Sequence, residues 1–270
     1  HRPLRGIVTG NNALFVGEPH QAETAKGRVA VRLGGQDVLI EADRIRPVLR
    51  GEDIVPWRFS IQRALVWTHD DQGRVLASLP TATRDHVRSH ERALKARIDL
   101  KPGQPFWTLF RVHPAKWGLR VAWRDIAPAP VAVVVPPRAP SPGGSAPIIS
   151  LNTVYQIPAA SEEDAYLVAA VLNSTVARAY LKAIAERASG GYFRFLGWTV
   201  ALLPFPEKPD AAALIQLVQL SRAAHRAGGL DADGQVRLDE LVARLYQLQT
   251  GELDELRVFD SRLSNPCSEA

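Results

Sequence analysis

The sequence predicts an α+β fold, with a mixed, β-rich N-terminal part that carries one basic helix and a helical C-terminal part behind it. Three observations lead there. Up to residue 157 the apolar residues come in short β-branched or aromatic runs bounded by Gly, Asp or Pro. From Ser161 onward they recur at helical spacing. The charge also changes sign along the chain: residues 1–150 hold 22 Lys+Arg against 13 Asp+Glu, net +9, and residues 151–270 hold 11 against 15, net −4. The expected division is 1–158 and 159–270.

In chain order, the first stretch, RGIVTGNNALFVGE (5–18), interrupts a strand-like run with Thr9, Gly10, Asn11 and Asn12. These residues suit a hairpin turn, since Gly and Asn accept positive φ, and equally a polar tip held out toward a ligand. GRVAVRL (27–33), DVLIEA (37–42) and RALVWTH (63–69) read as strands, with at most one helical turn around Pro47 and Gly51. TATRDHVRSHERALKARI (81–98) is the first clear helix. Four candidate strands follow, PFWTLFRV, LRVAWRDI, PVAVVV and PIISLNTVYQI, with PPRAPSPGGSAP (136–147) between the last two as a mobile loop. Ser161 is the expected N-cap of a long helix broken near Asn173 and Ser174. SGGYFRF and VALLPFP read as short extended pieces, and helices at 210–227, 235–249 and 252–259 complete the chain.

A chain of 270 residues can bury roughly 70–75% of its unfolded surface, enough for a real core. No apolar run approaches the ~18 residues of a membrane span, so no membrane is expected. The single Cys267 cannot support a disulfide framework, and a reducing cytoplasm is the expected compartment. The chain begins at His1 and contains no Met, as a piece of a longer protein would.

Chemistry is hard to find. The Pro136-Pro137 pair is followed by Arg138 rather than an aromatic residue, so it does not form the loop an adenine methyltransferase needs. The Gly pairs form neither G-x-G-x-x-G nor a Walker loop. His86 and His90 have i, i+4 spacing without an evident third ligand, which fits a polar helix face better than zinc. DADGQVRLDE (231–240) fits an N-capped acidic helix start better than a calcium loop. The chain is expected to catalyse nothing by itself.

What remains is a binding surface. At about 100° per residue, Arg84, Arg88, Arg92 and Lys95 share one helical stripe while Val87, Leu94 and Ile98 share another, predicted to be buried. Four cations on one face can meet successive phosphates; a solvated face with Asp85 and Glu91 is the competing explanation. Trp107, Trp117 and Trp123, interleaved with Arg111, Lys116, Arg120 and Arg124, fit base stacking or core.

Laid end to end, these segments resemble the TaqI-like C-terminal specificity domain of N6-adenine DNA methyltransferases and fused restriction-modification enzymes. The likeness runs through RGIVTGNNALF, RPVLRGEDIVPW (46–57), LPTATRDHVRSHERALKAR, PFWTLFR, LNTVYQI (151–157), YLVAAVLNSTVARAYL (166–181), GGYFRF (190–195) and LLPFP (202–206), in the family's order. It implies a non-catalytic piece that binds double-stranded DNA, reads a short target and presents one adenine to an N-terminal methyltransferase domain of the same parent protein. That domain would hold S-adenosylmethionine; no cofactor is expected in this chain. The resemblance brings Thr9, Gly10, Asn11 and Asn12 to the nucleic acid. Arg84, Arg88, Arg92 and Lys95 would hold phosphates, with Arg46 and Arg50 as further candidates, although Arg50 could instead pair with Asp53. Asn11, Asn12, Asn152 and Arg194 suit base edges, with Gly190 and Gly191 allowing close approach. The alternative function is an assembly module that docks a partner subunit through the acidic helices.

Overall fold

The computed structural model describes residues 2–24, 27–206 and 209–264; His1 and Cys267 lie outside them. Two main sheets organise the β-rich part. The first has six strands in the order Ile149–Ser150, Ile45–Leu49, Arg63–Val66, Val16–Thr24, Arg28–Leu33, Gln36–Glu41. All its neighbours are antiparallel except the first pair. The second is antiparallel, in the order Leu4–Arg5, Val154–Pro158, Arg120–Arg124, Ala132–Val135. Helix Thr81–Ser89 packs on the edge strand Gln36–Glu41, where both oxygens of Glu41 accept from the first-turn amides of Ala82 and Thr83. That carboxylate replaces a capping side chain, because Pro80 at the N-cap position has none to offer.

The N-terminal segment does not make a hairpin. Leu4–Arg5 belongs to the four-stranded sheet and Val16–Thr24 to the six-stranded one, so residues 6–15 cross from one to the other. Gly6 sits at the crossing, where a Cβ would lie 2.0 Å from the Leu151 carbonyl oxygen. Any side chain there would drive the two sheets apart.

Behind the four-stranded sheet, Ala165, Ala169 and Leu172 of helix Glu162–Leu172 share a core with Val121, Trp123, Ala132, Phe193 and Phe195. Ser161 caps that helix, accepting from the Asp164 amide, and the helical run breaks where the sequence predicts, at Asn173 and Ser174. The broken-off Asn173 amide then satisfies both backbone groups of Ala132 on the sheet edge, at 2.8 and 2.9 Å. Trp57 is buried among the C-terminal helices Ala211–Ala227 and Ala232–Leu245, whose first turns are capped by Asp210 and Asp231. Among the described residues no single helix is long and apolar enough to cross a membrane.

Several local expectations are overturned. PPRAPSPGGSAP forms a hairpin, Arg138–Ser141 with Gly144–Pro147, tied down by Ser141 Oγ donating to Ile45 O at 3.0 Å. PFWTLFRV contributes only one bridge, Phe110 to Val8. Its Pro105 carbonyl turns back to Thr108, and Arg111 has φ +59°, which no strand accommodates. Within VALLPFP, Val200 and Ala201 close the helix Gly197–Ala201 instead of extending.

Arg120 is fully buried between the sheets and pairs with no carboxylate among the described residues. It donates to Gln156 Oε1 (2.9 Å), Gly118 O and Ile148 O (2.8 Å each), while Ser150 Oγ donates to the same Gln156 oxygen. Burial pulls its pKa down to about 9. Arg120→Met strands these acceptors, and thermal or urea unfolding is expected to show a loss of about 3 kcal/mol.

Burial also pulls His69 down to about 4 from 6.5, against the opposing Asp70 charge and the Leu109 backbone. The unfolded chain therefore takes up a proton that the folded one refuses. Stability is full above pH 6.5 and falls by about 3 kcal/mol as pH drops toward 4, a slope that urea titrations should show and His69→Gln should flatten.

Candidate nucleic-acid interface

The polar stretch 9–12 folds into a braced tip. Thr9, only 2% exposed, donates its hydroxyl to Asn12 Oδ1 (2.6 Å) and accepts from the Asn11 amide (3.1 Å). Asn12 then opens a short helical turn, Asn12–Phe15. Asn12 is exposed, and its amide nitrogen has no hydrogen-bond partner among the described residues. Gly10 has φ +69°, and a Cβ there would lie 2.8 Å from Arg97 Cδ and 3.1 Å from the Phe110 ring. The position needs glycine for both its backbone and its neighbours.

Arg97 holds this tip to the basic helix and to the loop beyond it. Its guanidinium donates to Leu94 O (3.0 Å), Thr9 O (2.5 Å) and Phe106 O (2.5 Å), and lies over the Phe110 and Phe15 rings at 4.8 and 5.5 Å. Burial lowers its pKa, with Asp99 opposing. A second tie comes from His86, whose Nε2 donates to Leu14 O at 2.8 Å. Burial holds that ring below its ordinary pKa, so near neutral pH it is a neutral donor.

The basic helix is interrupted. The predicted helix 81–98 divides into Thr81–Ser89 and Glu91–Lys95. His90 is non-helical (φ −117°, ψ 18°), and both Ser89 Oγ and His90 Nδ1 bond to the His86 carbonyl. Arg84 pairs with Asp85 at 3.6 Å and Lys95 with Glu91 at 2.6 Å, exposed pairs worth roughly 0–1 kcal/mol. Arg88 and Arg92 are exposed and make no ion pair among the described residues. The same holds for Lys101 and Arg111, on the loop that Arg97 ties to the tip. Sequence reading passed over Lys101 and gave Arg111 only a place in the tryptophan segment, because nothing local announces that this loop folds back on Thr9.

Other candidates lie elsewhere. Arg46 is buried, donating to Asp43 O (2.8 Å) and Ile45 O (3.1 Å). The Arg50 guanidinium grips Asp53 while its amide donates to the same carboxylate at 2.8 Å, fixing the LRG turn. Neither presents a free guanidinium, since each satisfies backbone or carboxylate groups of its own turn. Asn152 is half-buried, its carbonyl held by Arg5 Nε at 2.8 Å. Arg194 is exposed opposite Ile126 and Glu186 in a small three-stranded sheet, preceded by Gly190 and Gly191 at φ +73° and +78°. Arg5 and Arg194 both act on half-buried Asp125, whose pKa burial raises against them. This second cluster joins the tip through residues 5–9.

The tryptophan segment is mostly packing. Trp123 is buried and donates to Phe195 O, and Trp107 donates to Leu76 O. Lys116 is buried on Arg111 O, with its pKa pushed down by burial to about 8. Arg124 donates to Ile54 O. Among the described residues no group of three or more His, Cys, Asp or Glu could hold a metal ion.

No family model matches the chain, and no curated protein matches it. Among solved structures it is similar to part of the type IIL restriction-modification enzyme MmeI, determined in complex with DNA: TM-score 0.63 at 12% identity over 98% of this chain and 36% of that one. A looser match is the type IIG restriction endonuclease BpuSI, TM-score 0.47 at 11% identity over 84% of this chain and 26% of that one. The chain thus shares its fold with about a third of the length of MmeI.

Gly10→Ala forces a Cβ against Arg97 at positive φ, and Arg97→Met leaves the Thr9 and Phe106 carbonyls without their donor. Each is expected to lower stability by about 1–3 kcal/mol. Each should also move the amide resonances of residues 9–12 and of 91–106 together, whereas Arg88→Ala should leave both sets in place.

Proposed function

We propose that the chain is the target-recognition part of a cytoplasmic N6-adenine restriction-modification methyltransferase, and that it holds duplex DNA against the Gly10–Asn12 tip and the basic helix. In this reading S-adenosylmethionine and the reacting adenine belong to a methyltransferase domain preceding it, and beyond the division at 158/159 the helical stretches 161–187 and 210–259 serve as scaffold while the 190–194 segment between them reaches the DNA. The observation that carries the reading is the fixed polar tip: one buried arginine, Arg97, ties it to the basic segment and to the loop beyond. Those two elements carry Arg88, Arg92, Lys101 and Arg111, four exposed cations without carboxylate partners among the described residues. A flexible polar loop would lose much of its binding energy in ordering; a fixed one avoids that loss. The shared fold with a segment of an enzyme solved on DNA supports it, as does the ordered series of TaqI-like sequence landmarks.

The roles divide by chemistry. Arg88 and Arg92, with Arg84 and Lys95 once released from their weak pairs, neutralise phosphates. Asn12, whose amide NH2 has no hydrogen-bond partner among the described residues, and Asn11 meet a base edge, while Thr9 positions them by holding Asn12 Oδ1. Asn152 and Arg194 form a second reading point, and Gly190 and Gly191 bring the backbone close.

Anisotropy titration with duplex DNA at low and raised salt tests this. Affinity should fall as salt rises, and Arg88→Glu/Arg92→Glu should weaken binding to every sequence by about tenfold or more while lowering the log–log salt slope by about two. Asn12→Ala should instead relax preference at one or two base pairs. Affinity indifferent to salt would contradict phosphate engagement and favour a protein partner on the acidic helices.

A further inference from the structure

We propose that Ile98 is an apolar wedge that enters the base stack of a bound duplex at an unstacked step, an inference that rests on the DNA reading above. Single exposed apolar residues are ordinary on a soluble surface, but Ile98 differs in degree and setting. The residue is 101% exposed, against 60% for Ile215, the next most exposed large apolar residue among those described. It is also held out rigidly. Leu94 before it is fully buried, Arg97 beside it is locked on three carbonyls, and the turn closes with Leu100 N donating to Arg97 O at 3.1 Å. The loop that follows is tied by the Gln104 side chain and amide to Lys101.

The setting is that of the proposed interface. The same Arg97 that precedes Ile98 bonds Thr9 O and touches the Gly10 position, so the turn that carries the wedge is joined to the tip through that side chain. Arg92, Lys95 and Lys101 flank it in sequence, and the neighbouring Asp99 acts on the buried charge of Arg97. An isoleucine fully exposed on a fixed turn, with Lys95 and Lys101 three residues away on either side and the acidic Asp99 next to it, packs on nothing apolar of its own. Duplex DNA offers both phosphates for the flanks and, between base planes, an apolar surface for the centre.

The test compares two short duplexes of one mixed sequence, one intact and one with a single-nucleotide gap that removes the work of unstacking, titrated with the full chain at low salt. The native chain and Ile98→Leu are expected to prefer the gapped duplex by about tenfold. Ile98→Ala should bind both equally while keeping its affinity for the intact duplex within about twofold. Equal affinity of the native chain for both duplexes, or a preference that survives Ile98→Ala, overturns the wedge alone. No binding of either duplex removes the DNA reading and the wedge with it.

Discussion

A single buried guanidinium organises the face that matters. Arg97 reaches three carbonyls, those of Leu94, Thr9 and Phe106, which lie in three separate segments of the chain. A buried cation without a carboxylate partner is unfavourable unless its hydrogen bonds are nearly ideal and its remaining surroundings polarisable. Here the Phe110 and Phe15 rings supply the second condition. The consequence is geometric: tip, basic helix and loop cannot move independently, so the exposed Asn12, Arg92, Ile98 and Lys101 hold fixed positions relative to one another.

Arg120 does for the frame what Arg97 does for the face. Together with Gln156 and Ser150 it links the strands Arg120–Arg124 and Val154–Pro158 to the Ile148–Ser150 segment, where the chain passes from one sheet to the other. Gly6 allows the N-terminal segment to cross against the same point. Two buried arginines, Arg97 satisfied by backbone carbonyls and Arg120 by backbone carbonyls and the Gln156 side chain, thus replace apolar packing at the two places where the sheets and the tip must be held in register. Neither contributes a free charge to the surface, which shows why net charge alone is a poor guide to where a polyanion would bind.

The α+β architecture and most helix starts were readable because they depend on local chemistry: Ser161, Asp210 and Asp231 cap the helices that follow them. What could not be read depends on distant partners. Ile98 is assigned to the buried stripe only if the helix keeps its phase to residue 98. It stops at Lys95 after a break at His90, and the side chain turns outward. The β-propensity of PFWTLFRV is overridden because Phe106 O is taken by Arg97. The hairpin reading of residues 5–18 failed for a similar reason: its two halves find better partners in different sheets. For the candidate site, residue types pointed to the tip and the basic helix. The carbonyl ties that remove Arg46 from the surface and bring Lys101 and Arg111 toward it leave no trace in composition or spacing.

The central claim, that the tip, the basic helix and the 99–111 loop form one rigid unit that meets nucleic acid, is tested most directly by amide hydrogen exchange with and without duplex DNA at low salt. The account predicts added protection that appears together in residues 8–15, 84–95 and 97–111 and is absent from helices Ala211–Ala227 and Ala232–Leu245. Protection confined to those C-terminal helices, or the tip responding while the helix and loop do not, would contradict it.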